Sequence, residues 1–493
     1  MPKLILDNRL ITLEGIPTSV IKAIKEVTSY LVAGHRFAPS FKGGFWDGRT
    51  HLLTFSNKRG YTVPVGLFED VCDVLKEWRI DYEIVDLRRT HSERRKLNWN
   101  EEIQLRNYQL EAILSVTRDI RKARLFGNGI IKMPIRSGKT KTAARIISIL
   151  GRSTLFIVPS QMLLHQTISA LEEALCMDIG IIGDSEFDPK FVTVATAQTL
   201  TLLRGRRYKD KHGKWKTVPR DPRYADLIKR IDVIVADEFH HFKGTGEWHK
   251  TIQDFDARFK IGLSATALLD NKREQSMGVI WLKASCGPVR IDIPSSRLIK
   301  DGFLMRQNVL VYPIRKPDNI AHMKWSQTLR RRGIVANEYR NNRIAALAHD
   351  FSQRMKVLVV SNSLEQIQMI VDALDSRGAR YGVVVGKHQR HKRQEVIEEY
   401  LSGEFDILIG TVFGEGIDIP EIECVINAEG GRDAKATIQR MRNMTIAEGK
   451  KEATLIDFMD HTNSYFTKHS KERLKVYRSE SEFNVTVKES SND

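Results

Sequence analysis

The sequence contains few cysteines and no long apolar run. Its four cysteines, Cys72, Cys176, Cys286 and Cys424, lie far apart and form neither a C-x-x-C pair nor a Cys/His cluster. A disulfide framework and a structural zinc site are therefore not expected, and a reducing compartment is favoured. No apolar run approaches the roughly 20 residues that span a bilayer, and the N-terminus lacks a signal-peptide core. We predict a cytoplasmic protein, in the host cytoplasm if the chain is viral, without a membrane partner.

Acidic residues are the minority among the charged ones. Asp and Glu total 61 against 78 Lys and Arg, which gives a formal net charge of +17 at pH 7. This excess favours a polyanionic partner, because it raises the affinity for phosphate backbones. The composition, 41% hydrophobic and 28% charged, is typical of folded domains, and 493 residues are too many for a single core.

Two series of short apolar runs organise the chain, the first between residues 129 and 264 and the second between 356 and 457. They lack period-2 alternation and are rich in β-branched residues, as buried parallel strands are. Longer amphipathic stretches separate them. The predicted fold class is α/β, with two tandem doubly wound parallel-sheet domains behind a small α+β domain. The predicted boundaries are 1–87 for the N-terminal domain, 88–284 and 351–480 for the two α/β domains, 285–350 for a connector and 481–493 for a frayed tail.

The segment MPIRSGKTKTA, residues 133–143, follows a predicted buried strand and opens a helix. Backbone N–H groups around Ser137 and Gly138 can cradle phosphate oxygens at the positive end of that helix. Lys139 supplies a charge for the β- and γ-phosphates of ATP, and Thr140 a hydroxyl ligand for Mg²⁺. Met133 replaces the first glycine of the full phosphate-loop pattern. Taken alone, the segment is equally compatible with an ordinary strand–turn–helix.

A pair of carboxylates ends a later strand in VIVADEFHHF, residues 233–242. Ligands of open α/β sheets bind at the carboxyl ends of the strands. Asp237 could hold Mg²⁺ and Glu238 could polarise the attacking water. A solvated acidic turn is the simpler alternative. The order of phosphate loop and acidic strand end is that of a P-loop ATPase, and the two signals together predict ATP hydrolysis.

Further segments give the chain a resemblance to the superfamily 2 helicases. In chain order they are LRNYQ (105–109), IVPSQMLLHQ (157–166), TVATAQTL (193–200), DEFH (237–240), LSAT (263–266), VVSNSLEQ (359–366) and GTVFGEGIDIP (410–420). The resemblance implies two RecA-like domains with ATP in the cleft between them and a nucleic-acid strand gripped alternately by each domain.

The resemblance also implies roles for single residues. Arg106 and Gln109 would reach the adenine, while Ser264 and Thr266 would couple hydrolysis to strand movement. The strand itself would be contacted by Thr196, Gln198 and Thr411. Gly416 and Asp418 would face the nucleotide and the strand.

The last helicase motif departs from the family pattern QRxGRxxR, because residues 439–446 read QRMRNMTI. Gln439 and Arg440 match, but Arg442 replaces the glycine. The arginine finger, which offsets charge on the transferring γ-phosphate, is therefore assigned to either Arg440 or Arg442.

The segment GHRFAPSFKGGFWDGRTHLL, residues 34–53, resembles the segment that precedes the helicase core in UvsW-type branch-migration helicases. Its cations alternate with aromatic residues, which places phosphate contacts beside stacking surfaces. The predicted DNA-binding residues are Arg36, Lys42, Trp46 and Arg49. Alternatively, its aromatic residues form the core of a small domain. The implied partner is DNA, branched or duplex, and the implied roles are replication, recombination or repair.

A basic stretch at 204–223 contains nine Lys or Arg and two Asp, with Tyr208 and Trp215 among them. It is either a duplex contact or a solvated loop. Three alternative functions remain open: an RNA helicase or a restriction-system motor on the same core, and a non-hydrolysing architectural DNA-binding protein.

Overall fold

The computed structural model describes residues 1–32, 34–117, 128–134, 137–209, 214–242, 246–265, 277–317, 319–386, 388, 390–411, 422–431, 452–479 and 483–489. The chain forms two compact units. One comprises residues 1–134 and 138–293, and the other comprises 294–493 together with 135–137. Within the described ranges, no helix combines the length and the apolar character needed to cross a membrane.

The first unit begins with a small α+β domain. Its five-stranded sheet has the order β5-β6-β2-β1-β7, and α1 and α3 pack together on it around buried Leu4, Ile24 and Val71. The elements are β1 (Lys3–Leu6), β2 (Leu10–Glu14), α1 (Thr18–Val27), β3 (Ser29–Leu31), α2 (Pro39–Lys42), β4 (Arg49–His51), β5 (Thr54–Ser56), β6 (Gly60–Pro64), α3 (Phe68–Glu77) and β7 (Glu83–Asp86). The short strands β3 and β4 form a separate antiparallel pair.

The rest of the first unit is a doubly wound sheet of eight strands in the order β11-β10-β12-β9-β15-β16-β8-β17, parallel except for β11. Its elements are α4 (Asn107–Thr117), β8 (Gly129–Lys132), α5 (Lys139–Leu150), β9 (Thr154–Val158), α6 (Gln161–Leu175), β10 (Gly180–Gly183), β11 (Glu186–Asp188), β12 (Val192–Thr196), α7 (Ala197–Arg204), β13 (Arg206–Lys209), β14 (Trp215–Val218), α8 (Pro222–Arg230), β15 (Val233–Ala236), α9 (Glu247–Asp254), β16 (Phe259–Ser264), α10 (Met277–Cys286) and β17 (Val289–Asp292). The strands β9, β12, β15 and β16 are buried throughout, which explains why most of their residues are apolar.

Helix α10 joins the two sheets of this unit through a shared core. Its Ile280 and Ala284 are buried in the hydrophobic cluster of the N-terminal domain, and Trp281 packs against that cluster. Two ion pairs of 2.6 Å flank the contact, Lys283 Nζ with Asp70 Oδ1 and Arg290 Nη1 with Glu69 Oε1. The N-terminal domain is therefore a packed extension of the first α/β domain.

The charged stretch that follows β7 runs along the first α/β domain and is bonded to it. The backbone N–H groups of His91 and Ser92 donate to the two carboxylate oxygens of buried Asp232, at 2.5 and 2.8 Å. Further along, the Arg95 N–H donates to Gly151 O at 2.8 Å.

The second unit is a seven-stranded, all-parallel sheet in the order β20-β21-β19-β22-β23-β18-β24. Its elements are α11 (Ser295–Lys300), β18 (Arg306–Ile314), α12 (Gln327–Arg330) with a π turn at Arg331–Val335, α13 (Glu338–Ser352), β19 (Val357–Val360), α14 (Leu364–Asp375), β20 (Tyr381–Val384), α15 (Arg390–Ser402), β21 (Ile407–Gly410), β22 (Cys424–Asn427), β23 (Glu452–Asp460), α16 (Ser464–Ser479) and β24 (Phe483–Val487). The predicted α/β class with parallel sheets is confirmed.

Two strands of this sheet lie where the sequence analysis expects none. Strand β18 falls in the predicted connector and β24 in the predicted frayed tail, yet the two pair in parallel along residues 307–311. The expectation of a frayed end is wrong for Phe483–Val487. Strand β24 is short, alternates apolar with polar residues and is largely exposed, so it lacks the continuous apolar run by which the other strands were predicted.

We predict that Gly66→Ala will destabilise the joint between the N-terminal domain and α10. An added Cβ would lie 2.1 Å from Lys283 O, a backbone atom that cannot move away alone. We expect a loss of about 1–3 kcal/mol, the usual range for overpacking, and a lower midpoint in thermal unfolding. Gly431→Ala is the control, because a Cβ there meets no atom within 4 Å. Equal midpoints for the two variants would contradict the shared core.

Candidate nucleotide site and nucleic-acid surfaces

The predicted phosphate loop lies between β8 and α5. Gly138 has a left-handed backbone with φ of 79°, and an added Cβ would lie 2.2 Å from the Gln109 amide nitrogen. Only glycine fits both conditions. Ser137 is buried, and α5 begins at Lys139, so the lysine occupies the first turn, where backbone N–H groups point outward.

Lys139 reaches the acidic end of β15. Its Nζ donates to Glu238 Oε1 at 3.0 Å, and both side chains are about nine-tenths buried. In the sheet, β16 lies between β8 and β15, so the pair crosses the end of one intervening strand. The Asp237 N–H donates to Ile157 O, and Asp237 Oδ1 accepts the Glu238 N–H, both at 2.9 Å. Lys139 of the predicted phosphate loop therefore meets Asp237 and Glu238 of the predicted acidic strand end in one site.

Glu238 has a left-handed backbone with φ of 44°, which is uncommon for a residue with a side chain. Such conformations cost of order 1–3 kcal/mol and cluster at functional sites. Here the turn brings the side chain of Glu238 back toward Lys139.

Burial dominates the electrostatics of the two carboxyl groups. It raises the pKa of Asp237 above its ordinary value, with Lys139 opposing the shift and the charge of Glu238 adding to it. Burial also opposes ionisation of Glu238, but Lys139 and His240 outweigh it and lower the pKa of Glu238 to about 2. Glu238 is therefore held as the carboxylate near neutral pH, the form that can accept a proton.

His240 links this site to the end of β16. Its Nδ1 lies 3.2 Å from Glu238 Oε2 and 3.5 Å from Ser264 Oγ. Ser264 is predicted from the sequence to act in coupling, whereas no role is predicted for His240. The signal that could have found it is its position as the last residue of DEFH, two residues after the carboxylate. The structure thus connects the predicted base to a predicted coupling residue through one imidazole.

Gln109 lies against the phosphate loop. Its side-chain oxygen accepts the Arg106 N–H at 2.8 Å, and its amide nitrogen donates to Gly138 O at 3.5 Å. Arg106 Nη1 donates to the Tyr108 hydroxyl at 2.9 Å. Both predicted adenine contacts are therefore placed at the N-terminal end of α4, next to the loop.

These residues fit ATP and Mg²⁺ by the chemistry of their donors. A lysine in the first turn of a helix and a left-handed glycine form an anion cradle. A hydroxyl from Thr140, half-buried in the same turn, and the Asp237 carboxylate are the oxygen ligands that Mg²⁺ prefers.

The predicted strand contacts differ in exposure. Thr196 is buried at the N-cap of α7, where its hydroxyl accepts the Thr199 N–H at 3.2 Å, whereas Gln198 is exposed in the first turn. Thr411 lies at the carboxyl end of β21, and its hydroxyl accepts the Gly386 N–H at 3.3 Å. Of these three side chains, that of Gln198 is presented to solvent.

In the N-terminal segment the structure separates exposed residues from bonded ones. Arg36 and Lys42 are exposed, as are Phe37 and Phe45, at 82% and 89%. These two phenylalanines are therefore not core residues.

The other two predicted DNA contacts, Trp46 and Arg49, are partly buried and bonded within the domain. The indole of Trp46 donates to Arg49 O, and Arg49 Nε donates to Ser29 Oγ, both at 2.7 Å. These bonds hold the β3–β4 pair together.

The basic stretch at 204–223 contains the hairpin β13–β14. Cations at its base are paired with carboxylates: Arg204 and Arg220 with Asp254, and Arg223 with Asp221. Strand β14 is exposed along its whole length, including Trp215 at 54%. The duplex contact predicted for this stretch remains a prediction.

Six predicted site residues lie outside the described residues. They are Thr266, Gly416, Asp418, Gln439, Arg440 and Arg442.

Profiles of known protein families match three parts of this chain. The family profile "Type III restriction enzyme, res subunit" matches residues 102–268, and "Helicase conserved C-terminal domain" matches 340–442. The profile "DNA helicase UvsW, N-terminal" matches residues 7–86. The chain belongs to the superfamily 2 helicases. It carries a UvsW-type N-terminal domain, as the resemblance implied.

Two curated relatives of this helicase match along most of their length. The DNA 3'-5' translocase XPB2 of Sulfurisphaera tokodaii is 24% identical over 393 residues, 73% of this chain and 82% of the relative. The ATP-dependent DNA helicase uvsW of Enterobacteria phage T4 is 22% identical over 517 aligned positions, 95% of each chain. Among solved structures, the DNA-bound Type ISP restriction-modification enzyme LlaBIII has the same fold at a TM-score of 0.57 and 15% identity, over 83% of this chain and 34% of that one.

We predict that Lys139→Ala will destabilise the first unit of this helicase by about 3–5 kcal/mol, because it leaves two buried carboxylates without their cation. Adding Glu238→Gln should recover part of that loss, since one buried charge is removed with its partner. Urea denaturation of the single and double variants measures the coupling. The control is Lys141→Ala, an exposed lysine of the same helix, which should change stability by less than about 0.5 kcal/mol. Additive effects of the two substitutions would contradict the pairing.

Proposed function

We propose that this helicase is an ATP- and Mg²⁺-dependent DNA helicase or translocase that remodels branched DNA: forks, D-loops and Holliday junctions. The observation that carries the proposal is the buried Lys139–Glu238 pair beside Asp237. It lies in a unit whose core includes a UvsW-type N-terminal domain. The matched DNA translocase and DNA helicase relatives support DNA as the substrate.

In this proposal the first unit binds the nucleotide. Backbone N–H groups near Ser137 and Gly138 and the ammonium of Lys139 hold the phosphates. Arg106 and Gln109 hold the adenine beside the loop. Mg²⁺, when bound, would neutralise charge on the β- and γ-phosphates, and Thr140 and Asp237 would hold it.

The same geometry supports Glu238 as the proton acceptor. Lys139 is bonded to Glu238 and neutralises its charge. If Lys139 instead contacted the phosphates of ATP, Glu238 would be free to polarise the attacking water. His240 lies between Glu238 and Ser264, so it would transmit a change at Glu238 to the end of β16. Thr266 follows two residues after Ser264 in the sequence.

The remaining residues, most of them in the second α/β domain, are proposed by resemblance. Gly416 and Asp418 would face the nucleotide and the strand. Gln439 and an arginine finger, Arg440 or Arg442, would stabilise charge on the transferring phosphoryl group. Strand contacts are proposed for Thr196, Gln198 and Thr411. Because Thr196 caps α7, its proposed contribution is to fix the turn that presents Gln198.

For branched DNA the support lies in the N-terminal domain. Phe37 and Phe45 offer apolar faces to solvent in the same segment as the exposed cations Arg36 and Lys42. Exposed aromatic rings stack on unpaired bases, and the cations contact phosphates. A junction presents both groups together, which a plain duplex does not.

The alternatives share the core but differ at testable points. An RNA helicase would contact the 2′-hydroxyl, and a restriction-system motor would act on plain duplex. A non-hydrolysing architectural protein does not require a lysine bonded to a pair of carboxylates, so the Lys139–Glu238 pair is evidence against this alternative.

We predict that Lys139→Ala and Glu238→Gln will each lower DNA-stimulated ATP turnover at least about a hundredfold. The first removes the phosphate charge and the second removes the base. DNA affinity should stay near that of the wild type, because the strand contacts lie elsewhere. Lys141→Ala is the matched control and should hydrolyse ATP normally. Wild-type turnover in either site variant would remove the ATPase assignment.

We also predict that Phe37→Ala and Phe45→Ala will weaken binding to a four-way junction roughly tenfold with little change in salt dependence. Arg36→Ala and Lys42→Ala should each reduce the slope of log K against log salt by about 0.9. The measurement is a salt titration on a junction, a fork, a plain duplex and matched RNA. Phe55→Ala is the control, since it removes a 62% exposed phenylalanine of the same domain outside 34–53.

Three outcomes decide this prediction. Loss of junction affinity in the segment variants but not in Phe55→Ala supports branched-DNA recognition. Equal affinities for all variants would reduce the segment to a structural role. Tighter binding of the RNA control would favour the RNA helicase alternative.

A further inference from the structure

Helix α16 of the second unit has two contrasting faces. Its buried face consists of Phe466, Ser470, Arg473 and Tyr477, which pack on the sheet. At 3.6 residues per turn, the side chains of Lys468, Lys471, Lys475 and Arg478 line the opposite face. All four are exposed. None belongs to the motifs that define the helicase.

These four cations outnumber the carboxylates of the helix. Within the described part of the chain, none of them forms a salt bridge; Glu472, the one acidic residue of the helix, lies four positions after Lys468 and lines one groove together with Lys471 and Lys475. A helix that merely solvates its outer face commonly alternates acidic and basic residues four positions apart, which lowers self-repulsion. Here the row of like charges covers about 15 Å of the helix axis, at 1.5 Å per residue. The repulsion would be relieved by a polyanion.

Aromatic side chains border the row at the N-terminal end of the helix. Trp325 is 48% exposed and Tyr465 40%, with ring centroids 6.0 Å apart. Trp325 covers Phe466 with one part of its ring, at 6.1 Å between centroids, and leaves the rest to solvent. Lys468 is three residues from Tyr465, on the adjoining side of the helix. Stacking surface and phosphate-binding charge are therefore contiguous.

The surface also carries two shallow, open depressions. Two adjoining grooves of about 650 and 640 Å³ are lined by Lys471 and Lys475 together with His461. One of them extends to Arg478 and to Val487 of the edge strand β24. A groove flanked by lysines can follow a flexible backbone.

We propose that this face, formed by Trp325, Tyr465, Lys468, Lys471, Lys475 and Arg478 and called here the α16 surface, binds a single strand of nucleic acid. The bases stack on the aromatic pair and the phosphates follow the cations. The biological use of the site rests on the proposed helicase function: it would hold a displaced strand outside the motifs that grip the translocated one. Exposed rings favour a single strand over a duplex, whose bases are already stacked.

The test is the binding of a fluorescein-labelled 20-nucleotide oligothymidylate to the full chain without nucleotide, titrated over a range of salt. The triple variant Lys468→Ala/Lys471→Ala/Lys475→Ala should lower the slope of log K against log salt by about 2, at about 0.7 per phosphate contact. Its affinity at low salt should fall about tenfold. Tyr465→Ala and Trp325→Phe should weaken binding severalfold at an unchanged slope.

The matched control removes three other exposed cations of the same unit, Arg354, Arg380 and Lys392, near β19 and β20. An equal loss in the control triple would overturn the site, because it would show a general effect of net charge. An unchanged slope in the α16 triple would overturn it directly. Tighter binding of a 20-base-pair duplex, with the same loss on substitution, would overturn the assignment to a single strand, as would equal competition by polyglutamate.

The assay separates this proposal from the helicase function. Binding is measured without ATP, so an inactive ATPase would leave the result intact. Selective loss in the α16 triple would then support the surface even if ATP turnover were absent. Conversely, normal ATP turnover together with unchanged oligonucleotide binding in the α16 triple variant would reject the proposed α16 surface but not the helicase function.

Discussion

The burial of negative charge at the end of β15 is the constraint on which the first unit depends. Asp237 and Glu238 are each about nine-tenths buried, and two adjacent carboxylates out of water repel each other. A cation must lie within reach, and Lys139 supplies it at 3.0 Å. This requirement fixes where the phosphate loop must end relative to β15.

The same unit ties the nucleotide site to the N-terminal domain. Strand β16 ends at Ser264, and α10 begins at Met277 with its buried face in the core of that domain. Separating the two would expose Ile280 and Ala284 and break two ion pairs, so the N-terminal domain must follow the first α/β domain as one body. A DNA contact on this domain is thereby rigidly connected to the helix that follows the coupling motif. This arrangement differs from a DNA-binding module on a flexible tether, which would gain affinity through local concentration but could not direct a strand.

Sequence patterns predicted the parts of the fold and site that depend on local chemistry. Buried strands were predicted from apolar runs. The SGKT and DEFH segments identified Lys139, Asp237 and Glu238, although the sequence does not give the distances between these residues. The pairing of β24 with β18 could not be predicted, because it joins segments more than 170 residues apart and β24 has no apolar run. His240 was missed since its contact with Ser264 depends on neighbouring strand ends. The DNA contacts of Trp46 and Arg49 stay predictions, and composition could not reveal that both residues also form hydrogen bonds within the domain.

The positive charge of this chain becomes informative only after the paired cations are set aside. On α16 itself, Arg473 is buried and bonded to Asp457 at 2.8 Å, while Arg340 of α13 is buried against Asp460 at 2.9 Å. The guanidinium of Arg473 satisfies Asp457 with two bonds, from Nε to Oδ2 and from Nη2 to Oδ1, whereas Arg340 bonds Asp460 through Nε and the Ala428 carbonyl through Nη1. The lysines of α16 lie on the opposite face, where an ammonium stays hydrated until a polyanion displaces the water. The buried Arg473 and the exposed Lys471 thus show how one helix separates charge that stabilises the fold from charge that is available for binding. The net charge of +17 counts both kinds of cation alike. The location of the unpaired cations beside exposed aromatic rings distinguishes a nucleic-acid-binding surface from a surface that is merely basic.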